Sequence, residues 1–260
     1  MCGDKRKRLG MYQFFVDPAQ IYEREKKVII QGNDVNHIKN VLRMKVGEEL
    51  SVSNGADGRE YHCVIAGLQE DMVLCELRFI REAETELPSK VYLFQGLPKA
   101  DKMELVIQKA VELGVFQVIP VATKRCVVKL DDKKAASKIQ RWQGIAEAAA
   151  KQSKRGIVPQ IMFVMSFQEA LKRAAEMDVR MIPYELAEDM GKTRQIIESI
   201  RPGQEVAVFI GPEGGFEEKE IEQALEKGIE PVTLGKRILR TETAGFTMLS
   251  WIMYHLEGNS

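Results

Sequence analysis

Two folding units of different kinds are predicted: a small all-β unit at the N-terminus, then an α/β unit built on a parallel sheet. Three observations carry this reading. Residues 12–80 hold short strand-like runs separated by turn chemistry, whereas from residue 91 strand-like and helix-like segments alternate. Near the C-terminus two glycine-bearing segments, FIGPEGGF (209–216) and LGKRILRTETA (234–244), each follow a short apolar run and precede a helical pattern. With 260 residues, 45% apolar and 29% charged, the chain is long enough for a sizeable core and ordinary in composition.

In the first unit the strand-like runs are residues 27–31, 49–53, 60–65 and 72–77, and one short helix is expected over 35–44. Asn54-Gly55 and Asp57-Gly58 supply the turn between the second and third runs. Short strands joined by hairpins read as a small β-barrel. The polar stretch REAETELPSK (81–90) carries a proline and marks a boundary. The expected division is a β unit over 1–82 (with 1–10 a possible extension), a linker over 83–90 and an α/β domain over 91–260.

Beyond the boundary, strands are expected at 91–95, 117–122, 161–164, 179–184, 206–210 and 231–234. Helices are expected at 101–113, 132–152, 193–200, 217–227 and 243–256, with another opened by Ser166, which has Glu169 in capping-box position. Such alternation implies a parallel sheet covered on both faces, with ligands at the carboxyl ends of its strands. Both glycine segments fall there. Glycines let backbone amides approach a ligand closely, and helix N-termini add a favourable field. The last helix carries Phe246, Met248, Leu249, Trp251, Ile252, Met253, Tyr254 and Leu256 around nearly its whole circumference. Either it is a deeply buried core helix or one face meets a second copy, and a homodimer is the expectation.

Net charge is zero, yet residues 91–160 carry thirteen basic and six acidic side chains, while 161–260 carry eleven and seventeen. A basic region of this kind can track a phosphate backbone even on a neutral chain. No apolar run approaches the roughly 20 residues that span a bilayer, and the start lacks an apolar signal core, so a cytoplasmic location is expected. Cys2, Cys63, Cys75 and Cys126 are scattered without a Cys-x-x-Cys or a neighbouring His, so neither disulfides nor a metal site is expected.

Dinucleotide, P-loop, zinc-protease and serine-elbow motifs are absent, and none of His37, His62 and His255 lies in a glycine turn. The helix from Asp101 has an apolar stripe (Met103, Val106, Ile107, Ala110, Val111) and a polar row, Glu104, Gln108 and Glu112, with Lys102 and Lys109 seven apart. A solvated helix face explains that row as well as a ligand does. Clustered Arg, Lys and Gln near strand ends, such as Arg125, suit phosphate contacts.

Four segments taken together carry a resemblance: GLPKADKMELVIQKAVELG (96–114), EAAAKQSKR (147–155), IGPEGGF (210–216) and LGKRILRTETA (234–244). In this order the chain closely resembles the bacterial 16S ribosomal RNA uracil-N3 methyltransferases, of the SPOUT class of S-adenosyl-L-methionine enzymes. The resemblance extends from about Met11 to Leu256, including His37 and Val41-Leu42-Arg43. It implies a PUA-like β-barrel followed by a SPOUT α/β domain with a parallel sheet and a C-terminal trefoil knot, acting as a homodimer. It implies S-adenosyl-L-methionine as cofactor and 16S rRNA, in the assembled small subunit, as partner. Cofactor contacts fall on Tyr184, Glu185 and Leu186, on Gly211, Pro212, Glu213, Gly214 and Gly215, and on Leu234, Gly235, Ile238, Leu239, Arg240, Thr243 and Ala244. RNA contacts fall on Arg43, Lys99, Lys102, Arg125, Gln152 and Arg155. Residues 1–10 depart from the family pattern, and Lys5-Arg-Lys-Arg8 is either an RNA-binding tail or a mis-set start.

The reaction implied is direct methyl transfer to N3 of a uridine near the decoding centre. Arg240 and Glu242 are the candidate catalytic residues: Arg240 to favour the negative charge developing on the base, and Glu242, or Glu213, to accept the N3 proton. Either carboxylate could instead cap a helix or pair with Arg237 or Arg240. Methylation at carbon-5 would need a cysteine nucleophile, for which Cys126 is the one remotely placed residue, and a non-catalytic RNA-binding or ribosome-assembly factor is the rival from another class.

Overall fold

The computed structural model describes residues 11–258, which divide into two compact units. The basic run Lys5–Arg8 lies outside the described residues. The N-terminal unit comprises β1 (Gln13–Phe15), β2 (Ile21–Tyr22), β3 (Lys27–Gln31), β4 (Glu49–Ser53), β5 (Arg59–Leu68) and β6 (Met72–Glu82). They form one sheet in the order β1-β4-β5-β6-β3-β2, so the expected barrel is realised as a curled sheet, a half-barrel, with β1 and β2 at its edges. The β4–β5 hairpin turns where the glycines stand: Gly55 and Gly58 both have φ of 71°, and Asn54 Oδ1 accepts from the Ala56 and Asp57 amides. Period-2 alternation places Tyr61, Cys63 and Ile65 of β5, and Val73, Cys75 and Leu77 of β6, in one apolar core with Val28, Ile30, Leu50 and Val52.

The single helix expected over 35–44 is instead α1 (Asn33–Asn36) followed by a π-helical turn, His37–Val41. Core packing explains the change. Val35, Ile38 and Met44 are all buried, and the chain reaches the last only by reversing at Arg43 (φ 55°), so that the Met44 amide donates to Ile38 O at 3.0 Å.

The unit boundary is not a single cut. Residues 150–158 return to the N-terminal unit, which otherwise ends at Glu86, rather than continuing the α/β domain expected over 91–260. Their anchor is Glu86, which accepts from Arg155 Nη2 at 2.5 Å and from the Gly156 and Ile157 amides at 3.0 and 3.2 Å. Ser53 Oγ adds a bond to Gly156 O at 2.8 Å. Arg155, expected to contact RNA, is therefore corrected: it is 2% exposed, and its guanidinium serves an internal ion pair.

The second unit carries β7 (Lys90–Gly96), β8 (Gln117–Ala122), β9 (Gln160–Ile161), β10 (Met165–Ser166), β11 (Val179–Pro183), β12 (Glu205–Ile210) and β13 (Glu230–Val232). Every pairing is parallel, in the order β10-β8-β7-β12-β11-β13, with β9 also on β8. The helices are α2 (Lys102–Glu112), α3 (Asp132–Ser153, its residues from Ala150 on belonging to the N-terminal unit), α4 (Phe167–Ala174), α5 (Met190–Glu198), α6 (Glu218–Glu226) and α7 (Thr241–Gly258). Central β7 and β12 are buried along almost their whole length, which is why they read as continuous apolar runs. Phe94 stacks on Phe209 across them at 4.5 Å, while α2 packs on α7. The expected strand over 161–164 shortens to two residues on each side of a break, and the Ser166–Glu169 capping box opens α4 as anticipated. On α7, Met248, Leu249, Ile252 and Leu256 are buried, Phe246, Trp251 and Met253 are half-buried, and Tyr254 is 80% exposed. A single chain leaves that outer face uncovered.

Glu86→Ala strips Arg155 of its carboxylate and two amides of their acceptor, and is expected to cost about 3 kcal/mol. Urea unfolding followed by fluorescence should show a lower midpoint; an unchanged midpoint would contradict the clamp.

Candidate active site

Three turns at the carboxyl edge of the parallel sheet enclose one cavity. The first leaves β12 at Ile210 and runs Gly211-Pro212-Glu213-Gly214-Gly215-Phe216, closed by the Gly215 amide donating to Pro212 O at 2.9 Å. Its glycines are required sterically: a Cβ on Gly211 would stand 3.1 Å from Gly215 backbone, and Gly215 itself has φ of 66°. The second leaves β13 and runs from Thr233 to Arg240, with Gly235 at φ 99°. It is fixed to α5 through the Thr233 amide, which donates to the buried Thr193 hydroxyl at 3.0 Å. The third follows β11, where the Tyr184 amide donates to Val232 O.

The cavity between them measures about 520 Å³, within the range of small-molecule sites. Of the residues expected to hold a cofactor, Tyr184, Glu185, Gly211, Pro212, Glu213, Gly214 and Gly215 line it, as do Leu234, Gly235, Ile238, Leu239, Arg240 and Ala244. Leu186 and Thr243 do not; Leu186 is 71% exposed. Sequence reading passed over Thr241, which lines the cavity and whose hydroxyl donates to Gly211 O at 2.6 Å, and the buried Gln95 that reaches it. A polar residue closing the otherwise apolar strand VYLFQG was the available signal.

The walls combine glycine-rich backbone with the apolar side chains of Ile210, Leu234, Leu239 and Ala244, and add the carboxylates of Glu185 and Glu213. Lys102, Arg125, Lys236, Arg237 and Arg240 line the same cavity, so its charged groups are five cations against two carboxylates. Lys102, expected on RNA, is committed elsewhere: its Nζ lies 2.9 Å from Glu213 and 3.8 Å from Glu242 Oε2. Burial alone would raise the Glu213 carboxyl. Hydrogen bonds from Lys102 and from the Glu213 and Lys99 amides outweigh it and hold the group below its usual value. Glu242 Oε2 is buried without a hydrogen-bond partner among the described residues, which costs about 1–3 kcal/mol.

The remaining expected RNA residues divide between the two units. Arg125 lines the cavity and donates to Gly214 O at 2.8 Å, so it braces the first turn as well as facing the opening. Lys99 is exposed, and its amide donates to Glu213 Oε1 at 3.1 Å. Arg43 and Gln152 are exposed on the N-terminal unit. Arg240 is exposed at the cavity and forms no ion pair among the described residues. Cys126 is buried in its own turn, hydrogen-bonded to Thr123, and does not line the cavity, which removes the nucleophile that carbon-5 chemistry would need. Burial pushes the Cys63 and Cys75 thiols up to about 12, and both pack in the core of the N-terminal unit.

Residues 85–253 match the model of the RNA methyltransferase domain, and residues 30–78 that of the RNA methyltransferase PUA domain. The ribosomal RNA small subunit methyltransferase E of Bacillus subtilis (strain 168) is 41% identical over 251 residues, covering 95% of this chain and 98% of that protein. Its namesake from Mesomycoplasma hyopneumoniae (strain 232) is 33% identical over 240 residues, covering 92% and 98%. A crystal structure of ribosomal RNA small subunit methyltransferase E from Neisseria gonorrhoeae, bound to S-adenosyl methionine, aligns with a TM-score of 0.77 at 32% identity, covering 94% of this chain and 97% of that one.

A carboxylate whose folded-state pKa is depressed stabilises the fold above its unfolded value and loses that contribution as pH falls through the folded value. Glu213 has an ordinary value of 4.5 and is lowered. Thermal melts of wild type and Glu213→Gln should therefore differ at neutral pH and converge as pH drops below that value. A difference that stays constant down to acid pH would refute the Lys102–Glu213 contact as its source.

Proposed function

The chain belongs to the RNA methyltransferase family, among the ribosomal RNA small subunit methyltransferases E, and on that premise we propose that it methylates N3 of a uridine near the decoding centre of 16S rRNA. The observation that carries this reading is the single cavity built from glycine turns at the carboxyl edge of the parallel sheet, with Arg125 and Arg240 at its opening. S-adenosyl-L-methionine is the cofactor. The Gly211–Gly215 turn, the Leu234–Arg240 turn, Tyr184, Glu185 and Ala244 are the residues that would hold it. When bound, it supplies a methyl group made electrophilic by its sulfonium.

The chain's own residues have three tasks. The turns must fix the acceptor and donor atoms in line, which is where positioning contributes most to rate. Arg240, on the second turn and free of ion pairs among the described residues, favours the negative charge that grows on the uracil ring as its N3 proton leaves. Of the two candidate carboxylates Glu213 lines the cavity, whereas Glu242 does not and keeps its buried Oε2 3.8 Å from Lys102 Nζ, so Glu213 is the group that accepts that proton. Because N3 lies on the Watson–Crick edge, the target base must be unpaired or flipped out when it enters.

The substrate in this reading is the assembled small subunit, bound through the PUA-type unit, Arg43 and Gln152, and the basic middle of the chain with Lys99 and Arg125. The enzyme works in the cytoplasm as a homodimer, with the uncovered face of α7 around Tyr254 as the support for pairing. The trefoil knot belongs to the same reading; its support is the order β12-β11-β13, in which β11 lies between two strands that follow it in sequence.

Small subunits from a strain deleted for this gene, incubated with the protein and labelled S-adenosyl-L-methionine, are expected to yield 3-methyluridine on nucleoside mass spectrometry. A different methylated nucleoside, or none, would overturn the N3 assignment. Arg240→Ala should lower the methylation rate by about a hundredfold while leaving subunit binding in place.

A further inference from the structure

At the carboxyl end of β7, a central strand of the parallel sheet, stands a polar side chain with no solvent exposure: Gln95, the residue before Gly96. Its Nε2 donates to Gly96 O and to Thr241 Oγ1, each at 2.9 Å. Thr241 Oγ1 in turn stands 2.6 Å from Gly211 O. Proton counting fixes the direction of this relay. The Gly211 carbonyl only accepts, so the one hydroxyl proton of Thr241 points at it. The hydroxyl oxygen must then accept, and Gln95 must present its NH2 rather than its oxygen. The Gly96 carbonyl demands the same orientation.

The amide oxygen is consequently left buried with no partner among the described residues, beside Gly245, where an added Cβ would stand 3.8 Å away. An apolar side chain of similar size would avoid that orphan acceptor, so stability does not account for a glutamine here. Placement does. Gly211 opens the first cavity turn, Thr241 closes the second, and Gln95 lines neither. One hydroxyl ties the two walls together, and one buried amide sets the hydroxyl.

We infer that Gln95 is a positioning residue for methyl transfer: by orienting the Thr241 hydroxyl it holds the Gly211 and Leu234–Arg240 turns at the spacing that S-adenosyl-L-methionine binding requires. The inference rests on the cofactor reading given above. Without the relay the Thr241 rotor is released, the turns lose their mutual restraint, and binding must order them. Cofactor affinity falls while affinity for RNA, which meets other surfaces, does not.

Calorimetric titration of S-adenosyl-L-methionine into wild type, Gln95→Met, Thr241→Val, the double variant and Thr241→Ser tests this, with a thermal melt and small-subunit binding for each. Gln95→Met and Thr241→Val should each weaken cofactor binding by about tenfold, the scale of one lost hydrogen bond. The double variant should be no worse than either, because both break one relay. Thr241→Ser keeps the hydroxyl and should bind as wild type does. Gln95→Glu supplies a readout that a packing role would not move. Its carboxyl can donate to Thr241 only when protonated, and burial raises its pKa, so cofactor affinity should improve as pH falls from 8 to 6, unlike wild type. Wild-type affinity in Gln95→Met or Thr241→Val, additive losses in the double variant, or a Gln95→Glu profile parallel to wild type overturns the inference. Wild type that binds no S-adenosyl-L-methionine at all would sink the cofactor reading itself.

Discussion

At the carboxyl edge of the parallel sheet, backbone touches backbone. A Cβ added to Gly96 would stand 2.6 Å from Pro212 Cδ and 2.7 Å from Pro212 N. Only the absence of a side chain at the end of β7 lets the turn after β12 fold back against it, and the rest of the site depends on that approach. It brings Gly211 within reach of Thr241, places α7 directly behind the turn, and leaves the space in front of the turn as cavity rather than core. The sheet makes the contact rigid, since β7 and β12 pair over six residues in register from Lys90–Glu205 to Gln95–Ile210.

Charge around the cavity is arranged by the same economy of side chains. Lys102 serves two carboxylates at once, Glu213 on the first turn and Glu242 on the first turn of α7, so a cation from α2 spans the two walls. Arg125 does similar work from the far side by bonding Gly214 O. With those two cations partly committed to the protein, Arg237 and Arg240 are the cavity-lining arginines that form no ion pair among the described residues. A positive residue at a pocket is thus not by itself evidence for an RNA contact; what its head group already bonds decides that.

The N-terminal unit shows how a short return segment can complete a small sheet. Ser53 of β4 is buried although polar, because its hydroxyl donates to Gly156 O of the 150–158 segment. Glu86 anchors that segment with three donors on one carboxylate group, two backbone amides and the Arg155 guanidinium. Buried charge of this kind is held by its partners, and removing either side leaves the other exposed to an apolar interior.

Periodicity and turn chemistry by themselves determined the two kinds of unit, nearly every strand and helix, the Ser166–Glu169 cap and the two glycine turns, because these depend on contacts between residues close in sequence. The two glycine turns that the cavity borders were legible for the same reason, while its other expected lining residues were implied by the family resemblance. Sequence spacing could not decide what Lys102, Arg155 and Gln95 do. Arg155 reads as one more cation in a basic stretch until Glu86, 69 residues away, is found against it. Gln95 meets Thr241 across 146 residues of chain. Long-range pairing sets the burial and the partners of a polar group, and those two quantities, not residue type, separate a side chain that meets a ligand from one that holds the protein in shape.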